Sequence, residues 1–407
     1  MKRSLAIVVA IGLVAAAVAA LLHATGVLRP IEQLISGTTV SLVSEVWVYL
    51  AAVVLAVLTA WLTANSLHRI RIGWLVAGLA LELLAAAWVC MLYGVRFQPL
   101  PAIIAIALAF VGTERWLAFA RRSRTQLART FFADRLSPRQ IRRLVEGDIP
   151  LEIEPRTHEV TIVVCDIANK YDMAEESEPG VFAEATEKFI RRTSDVLLEA
   201  GGFIQAADGE GVVAIFGFPD GSADHADKAV RVTLDLVEEF RKQESNGDLA
   251  GKCDVHLGVS SGTLIVAPLQ NGSRPGLLTT GEPMELARRF CVANRFYGSR
   301  ILIGPRTFEL ASKNIVARPI DFLSGVNSQE RHEIYEPLWL AAEAKPEHIA
   351  RRDFFWNGVV LYREKRWAEA YTEFQKARAP DHDDDPPLQL YLRRLETLAL
   401  HLTTAPE

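Results

Sequence analysis

Cysteine is scarce in this chain. Only four occur, Cys90, Cys165, Cys253 and Cys291, and none stands in a C-x-x-C spacing or a pairing pattern. That excludes a disulfide framework and a cysteine-built zinc site, and leaves isolated, reduced thiols. An excess of positive charge is also missing: 44 Lys and Arg stand against 49 Asp and Glu, for a net charge of −5. The chain as a whole therefore carries no electrostatic footprint for nucleic acid, and none is expected as a partner. What it has in plenty is apolar residues, half of its 407 positions, with the excess in the first 113. A chain of this length is expected to hold two or three units.

Four apolar runs reach roughly the 20 residues that a bilayer crossing needs. They lie near 4–22, 46–64, 73–93 and 97–113. The first follows Met-Lys-Arg, as in a signal peptide. It is long, however, no cleavage site is evident and three more runs follow, so we read it as an anchor. Lys2 and Arg3, then Arg69 and Arg71, then Arg121, Arg122 and Arg124 alternate to one side of the spans, against Arg29 and Arg96 on the other. By the positive-inside rule both termini are expected in the cytoplasm, in a multi-pass protein of a bacterial inner membrane. Glu82, within the third run, is the one intramembrane acid. It is a functional candidate, set against the plainer reading of a carboxyl facing a neighbouring helix or subunit. The outer loop, 23–45, is too short for a folded sensor domain.

Residues 114–146 read as a helix rich in arginine, Arg121, Arg122, Arg124, Arg129 and Arg135 among them. Such a segment suits anionic lipid headgroups. Its apolar face, Leu127, Phe131, Phe132, Leu136, Ile141 and Leu144, offers pairing with a second copy. Ser137-Pro138 reads as an N-cap and first-turn proline that restart a helix. From there strands and helices alternate. EVTIVVCDI (159–167) is a buried strand ending in an acid, 181–200 an amphipathic helix, and GFIQAADGEGVVAIFG two strands around a tight turn. ADHADKAVRVTLDLVEEFRK is a helix with His225 at its start, DVHLGVSSGTLIVAPL a strand pair, EPMELARRFCVANRF a helix, and RILIGPRTFELA a strand and short helix. This is an α+β pattern rich in hairpins, not a parallel βαβ series. Residues 346–400 approximate one tetratricopeptide unit through Trp356, Gly358, Tyr362, Ala370, Phe374 and Pro380. A single unit cannot bury its own faces, so it is expected to pack on the preceding domain or on a second copy. The acid run at 381–386 reads as a solvated helix start rather than a metal loop.

The stretches VTIVVCDI, GGFIQAADGEGVVAIFG, DHADKAV, VHLGVSSGTLIVAPL and TTGEPMELARRF, in that order and spacing, resemble the catalytic domain of class III adenylate/guanylate cyclases over about residues 155–340. FFADRLSPRQIRRLVEG resembles the linker of the membrane-bound bacterial type. The resemblance implies a ferredoxin-like α+β core and a plan of four parts. These are a four-helix transmembrane anchor (1–113), a basic helical signalling linker (114–154), the cyclase domain (155–340) and a TPR-like helical tail (341–407). It also implies a reaction: the ribose 3′-OH of a nucleoside triphosphate attacks the α-phosphate and pyrophosphate leaves, giving cyclic AMP from ATP. Two Mg²⁺ or Mn²⁺ on a pair of carboxylates assist. The family's site forms between subunits, which implies a homodimer or a heterodimer with another cyclase.

Carried over position by position, the first metal carboxylate falls on Asp166 and the second on Glu210. The arginine that offsets charge developing on the phosphate falls on Arg289, and its companion asparagine on Glu285. The base-reading lysine falls on Ala206, its acidic or hydroxyl partner on Leu278, and the phosphate lysine on Ser324. The Gly-Phe-Thr after the first metal strand is here Asn169, Lys170 and Tyr171. Glutamate at 210 keeps the charge but moves the carboxylate by one methylene, which rigid Mg²⁺ geometry tolerates poorly. Ala206 and Leu278 leave base selection to shape and apolar contact. Glu285 sets a negative charge where ribose and polyphosphate belong. Asp208 is an alternative second carboxylate if the turn keeps strand geometry. Lys170 is either a phosphate-binding charge or, the reading we favour, a solvated loop lysine. Outside the motif, Asp166 would be a cap and Arg288-Arg289 a solvated helix face. Two functions stay open: an enzyme making cyclic AMP, and a non-catalytic homologue that dimerises and binds nucleotide. The substitutions favour impaired catalysis.

Overall fold

The computed structural model describes residues 2–36, 41–42, 44–65, 69–150, 154–245, 254–271, 274–326, 330–379 and 385–404. Cys253 and most of the acid run, 381–384, lie outside these. The chain divides into two compact units, Met1–Gln126 and Leu127–Glu407.

The first unit holds α1 (Lys2–Ala24), α2 (Arg29–Ser36), α3 (Glu45–Asn65), α4 (Arg69–Leu92) and most of α5 (Leu100–Phe132). Two short strands, β1 (Ser41–Leu42) and β2 (Val95–Arg96), pair in parallel. Four helices are long and apolar enough to cross a membrane: Leu5–Ala24, Glu45–Asn65, Arg71–Leu92 and Leu100–Phe132. Alanine makes their contacts, with Ala15, Ala16 and Ala19 of α1 in one buried cluster with Ala52, Ala56 and Ala60 of α3 and Ala102, Ala105 and Ala109 of α5. A Cβ on Gly12 would lie 2.7 Å from the Val57 backbone, so α1 and α3 meet almost backbone to backbone. Small residues inside and large ones such as Trp47, Trp74 and Trp88 outside is the arrangement suited to lipid, where no hydrophobic drive brings helices together. Glu82 is exposed on α4. The buried acid of this unit is Glu32 of α2, which the apolar runs did not flag. Its carboxylate lies 3.5 Å from His23 Nε2, and His23 Nδ1 contacts the Tyr49 hydroxyl at 2.7 Å.

The second unit starts with the end of α5, a single 3₁₀ turn and α6 (Pro138–Glu146), capped reciprocally by Ser137 and Gln140 as the sequence implies. Then come β3 (Arg156–Ile167), α7 (Lys170–Glu176), α8 (Pro179–Glu199), β4 (Phe203–Asp208), β5 (Gly211–Phe216), α9 (His225–Ser245), β6 (Val255–Asn271), β7 (Arg274–Thr280) and α10 (Glu282–Tyr297). After these follow β8 (Ile301–Ile303), α11 (Pro305–Ala311), β9 (Ile315–Ser324), β10 (Arg331–Leu340), α12 (Pro346–Arg363), α13 (Trp367–Lys376) and α14 (Pro386–Thr404). The sheet runs β4-β5-β3-β6-β8-β10-β9, with β7 paired to β6. Only the β6–β8 pairing in it is parallel among those described, so the domain is α+β.

Strand β3 is central and buried on both faces, so its sequence from Val160 to Cys165 is apolar but for Thr161, whose hydroxyl is bonded to His225 and Ser261. Val163 and Cys165 pack with Phe189 and Leu197 of α8 and Val230 and Leu236 of α9. Ile162 and Val164 face the other way, into a cluster with Phe132, Leu136, Leu144, Phe203 and Phe218. This second cluster corrects the expectation that the linker's apolar face awaits another copy. Phe132 meets Phe203 of its own domain edge to face and Phe218 at a tilt, each ring pair 6.0 Å apart, and Gln140 Nε2 donates to the Gly201 carbonyl at 2.8 Å. The sheet face would otherwise be bare.

The tail packs on the same domain. Phe355, Val359, Ala370, Phe374 and Tyr391 share a core with Leu286 and Phe290 of α10 and with Ile320 and Ile334 of the sheet. Asp385, the last acid of the run that reads as solvated, is instead held by Arg318 of β9 through two bonds of 2.6 and 2.7 Å. Arg318 also binds Glu336 at 2.7 Å and lies 4.4 Å over the Phe355 ring. Asp385 does start α14, accepting from the Leu388 amide.

Candidate active site

Asp166 is the penultimate residue of β3. Strand β5 runs antiparallel beside it with Cys165 opposite Val212, which sets Gly211 against Asp166. Gly211 has φ +107°, and a Cβ there would fall 2.3 Å from the Cys165 carbonyl oxygen. Only glycine permits this positive φ and close approach without strain, so the β4–β5 hairpin closes on the end of β3. Asp208 pairs with Gly211 across a two-residue turn, Gly209 and Glu210. Its Oδ1 accepts from the Glu210 amide at 2.9 Å, the local contact by which aspartate fixes a turn. Asp208 is thus engaged by the hairpin itself, and Glu210 is the carboxylate that returns towards Asp166.

Between the two acids lies Lys170. Its Nζ donates to Asp166 Oδ2 at 3.0 Å and to Glu210 Oε2 at 3.5 Å. The Lys170 side chain is 13% exposed, against 27% for Asp166 and 80% for Glu210. It is not the solvated loop lysine that the sequence suggests. Helix α7 begins at Lys170, three residues after β3 ends, which folds the side chain back over the end of the strand. Asp166 Oδ1 accepts from the Ile167 amide at 2.8 Å. Burial raises the Asp166 carboxyl, opposed by the hydrogen bond and charge of Lys170. For Lys170 burial works the other way, but the hydrogen bond and charge of Asp166, then Glu210, outweigh it and raise its pKa.

A second cluster forms where α10 meets the end of β9. Glu285 and Arg289 are one helical turn apart, and Arg289 Nε donates to Glu285 Oε1 at 3.1 Å. Arg289 Nη1 donates to the Gly325 carbonyl at 2.6 Å and lies 3.4 Å from that of Ser324. It is the backbone at 324, not the serine side chain, that meets the arginine. The loop is closed by the Gly325 amide on the Glu330 carbonyl at 2.7 Å. Beneath it Glu282, Glu330 and His332 bring carboxylate and imidazole atoms within 4.8 Å of one another, a set chemically able to hold a metal. Ala206 packs, partly buried, against the second core cluster, whereas Leu278 is 43% exposed on β7. The structure thus joins Asp166, Lys170 and Glu210, and separately Glu285, Arg289 and the 324–325 backbone. Sequence reasoning missed Lys170 as a partner, although its place four residues after Asp166 was the available signal.

Burial pushes the Cys291 thiol up to about 12, and it donates to the His256 carbonyl at 3.2 Å. His225 is buried against the Thr161 hydroxyl at 2.7 Å, and burial lowers its pKa.

No protein-family model matches the chain. An adenylate cyclase of Anabaena cylindrica is 27% identical over 150 residues, 36% of this chain and 30% of that protein. The terminal-differentiation-specific adenylate cyclase of Dictyostelium discoideum is 25% identical over 204 residues, 49% of this chain and 9% of that protein. The matched part is less than a third of either relative. Among solved structures, the adenylyl cyclase CyaB from P. aeruginosa covers 47% of this chain and 100% of its own, at a TM-score of 0.42 and 20% identity. Over the matched part the chain is similar in sequence to adenylate cyclases, a likeness that supports a class III adenylate/guanylate cyclase assignment for this domain.

Proposed function

We propose that this chain is a membrane-anchored cyclase homologue of cyclic-nucleotide signalling whose own domain turns over little or no substrate. It acts as a dimerising, regulatory partner, either with itself or with an active cyclase. In this reading four spans anchor the protein in a bacterial inner membrane with both termini cytoplasmic. The arginines after the fourth span sit among anionic headgroups. The domain plan is that of the sequence reading: anchor 1–113, linker 114–154, cyclase domain 155–340 and tail 341–407.

The contact between Arg289 and Glu285 carries the proposal. An arginine that stabilises charge developing on a phosphate must offer unpaired donors to it. Two of the Arg289 nitrogens, Nε and Nη1, are instead committed to Glu285 and to the Gly325 carbonyl of its own domain. A polyphosphate approaching it also meets the Glu285 carboxylate, and like-charge juxtaposition costs several kcal/mol. With Ala206, Leu278 and Ser324 at the positions the family uses for base and phosphate, no side chain there supplies compensating charge. Divalent metal fares no better. Mg²⁺ takes oxygen ligands at about 2.0–2.1 Å in near-octahedral geometry, while Asp166 and Glu210 are bridged by an ammonium. The pair as it stands does not fit a divalent ion.

A second reading, an active enzyme converting ATP to cyclic AMP and pyrophosphate, is favoured by Asp166 and Arg289, the two positions kept unchanged. A cyclase assay separates the two, with the full chain in lipid nanodiscs, ATP or GTP, and Mn²⁺. We expect background product that Asp166→Ala does not alter, from a protein that still dimerises. Turnover abolished by Asp166→Ala would establish the enzyme and remove the regulatory reading.

A further inference from the structure

We propose that Lys170 is the resident cation of the Asp166–Glu210 pair, an ammonium built into the chain in place of a divalent metal ion. The inference rests on reading Asp166 and Glu210 as the family's carboxylate pair, but it concerns ion binding and not turnover.

Three observations meet at this point. The ammonium contacts both carboxylates, at 3.0 and 3.5 Å. It is the least exposed group of the three, at 13%, although an unengaged lysine extends its head into water. The hairpin that carries Glu210 is held against β3 by the backbone contact at Gly211, so the acids are brought together whether or not a metal is present. Two carboxylates brought together repel unless a proton or a positive charge lies between them. Lys170, with three donors and no acceptor, supplies it.

The same geometry resists a divalent ion. An entering cation must expel the ammonium from both carboxylates, and Lys170 would then be left partly desolvated beside the new positive charge. Glu210 also gains a purpose. Its extra methylene, a liability for tight metal geometry, lets an exposed turn residue reach Lys170. The substitution at 210 and the lysine at 170 are then one change in two parts: a metal pair turned into an internal ion-pair network that keeps the hairpin closed on β3 without metal.

The test measures Mn²⁺ binding by electron paramagnetic resonance of the free ion, on the full chain in phosphatidylcholine nanodiscs without nucleotide. Wild type and Asp166→Asn should bind alike, because the wild-type pair is closed to the ion. Lys170→Met should create a new site at least about tenfold tighter, the scale on which neighbouring groups tune metal affinity. Lys170→Met with Asp166→Asn should lose it. Wild-type binding that disappears in Asp166→Asn overturns the proposal, and that comparison leaves Lys170 untouched, so it stands even if Lys170→Met misfolds. A folded Lys170→Met protein that gains no site overturns it as well. Asp166-dependent turnover would remove the regulatory reading above, whereas the metal result is read without any turnover.

Discussion

Arg318 and Arg289 are both arginines set beside acids in one domain, yet their surroundings differ. Arg318 is 8% exposed, takes Asp385 with two nitrogens and Glu336 with a third contact, and rests on the Phe355 ring. Although burial opposes its charge, the charges of Glu336 and Asp385 raise its pKa further. Arg289, midway along α10, is 37% exposed and meets one carboxylate and the carbonyl of Gly325. The first joins the tail to the sheet where water cannot replace a lost partner. The second faces solvent, where water can. Position in the core, not residue type, decides whether losing a charge's partner costs the architecture much or little.

The comparison is open to three tests. Arg318→Met leaves two acids desolvated without a cation. Removing one member of a buried pair typically costs about 3–5 kcal/mol. We expect a loss of that size in the opening free energy of α14 amides, read by hydrogen exchange. An unchanged α14 would place Arg318 with the solvent-facing set. Gly211→Ala asks whether backbone or charge closes the hairpin on Asp166. Positive φ and the close contact with the Cys165 carbonyl should together cost about 1–3 kcal/mol. Exchange at β4 and β5 should rise while α14 is unaffected. Arg289→Ala should shift thermal unfolding least, by no more than about 0.5 kcal/mol, as usual for surface substitutions. A larger loss would mean that the arginine latches α10 to β9 for stability.

Much of this was legible in the residues. The apolar runs announced the helices, the largely apolar VTIVVC announced a strand buried on both faces, and Ser137-Pro138 announced the start of α6. Periodicity reports which side of an element is apolar but not what will cover it. Phe132, Leu136 and Leu144 were therefore recognised as a face and assigned to a second copy, when the domain's own Phe203 and Phe218 lie on it. Asp385 was recognised as a helix start, but its partner Arg318 lies 67 residues away in the chain and no local pattern links them.

The candidate site divides along the same line. From the residues alone came its resemblance to cyclases and its departures from their pattern: Glu210 for aspartate, Glu285 for asparagine, and no lysine at 206 or 324. Side-chain type is a local property, and those readings needed nothing else. Only the tertiary structure decided what the remaining charges do. It engages Asp208 in its own turn, commits two Arg289 nitrogens to Glu285 and Gly325, and folds Lys170 back between Asp166 and Glu210. Those outcomes depend on side-chain distances of about 3 Å, some within one turn and others, as from Arg289 to Gly325 and from Lys170 to Glu210, between separate elements, at the range where a hydrogen bond either forms or does not.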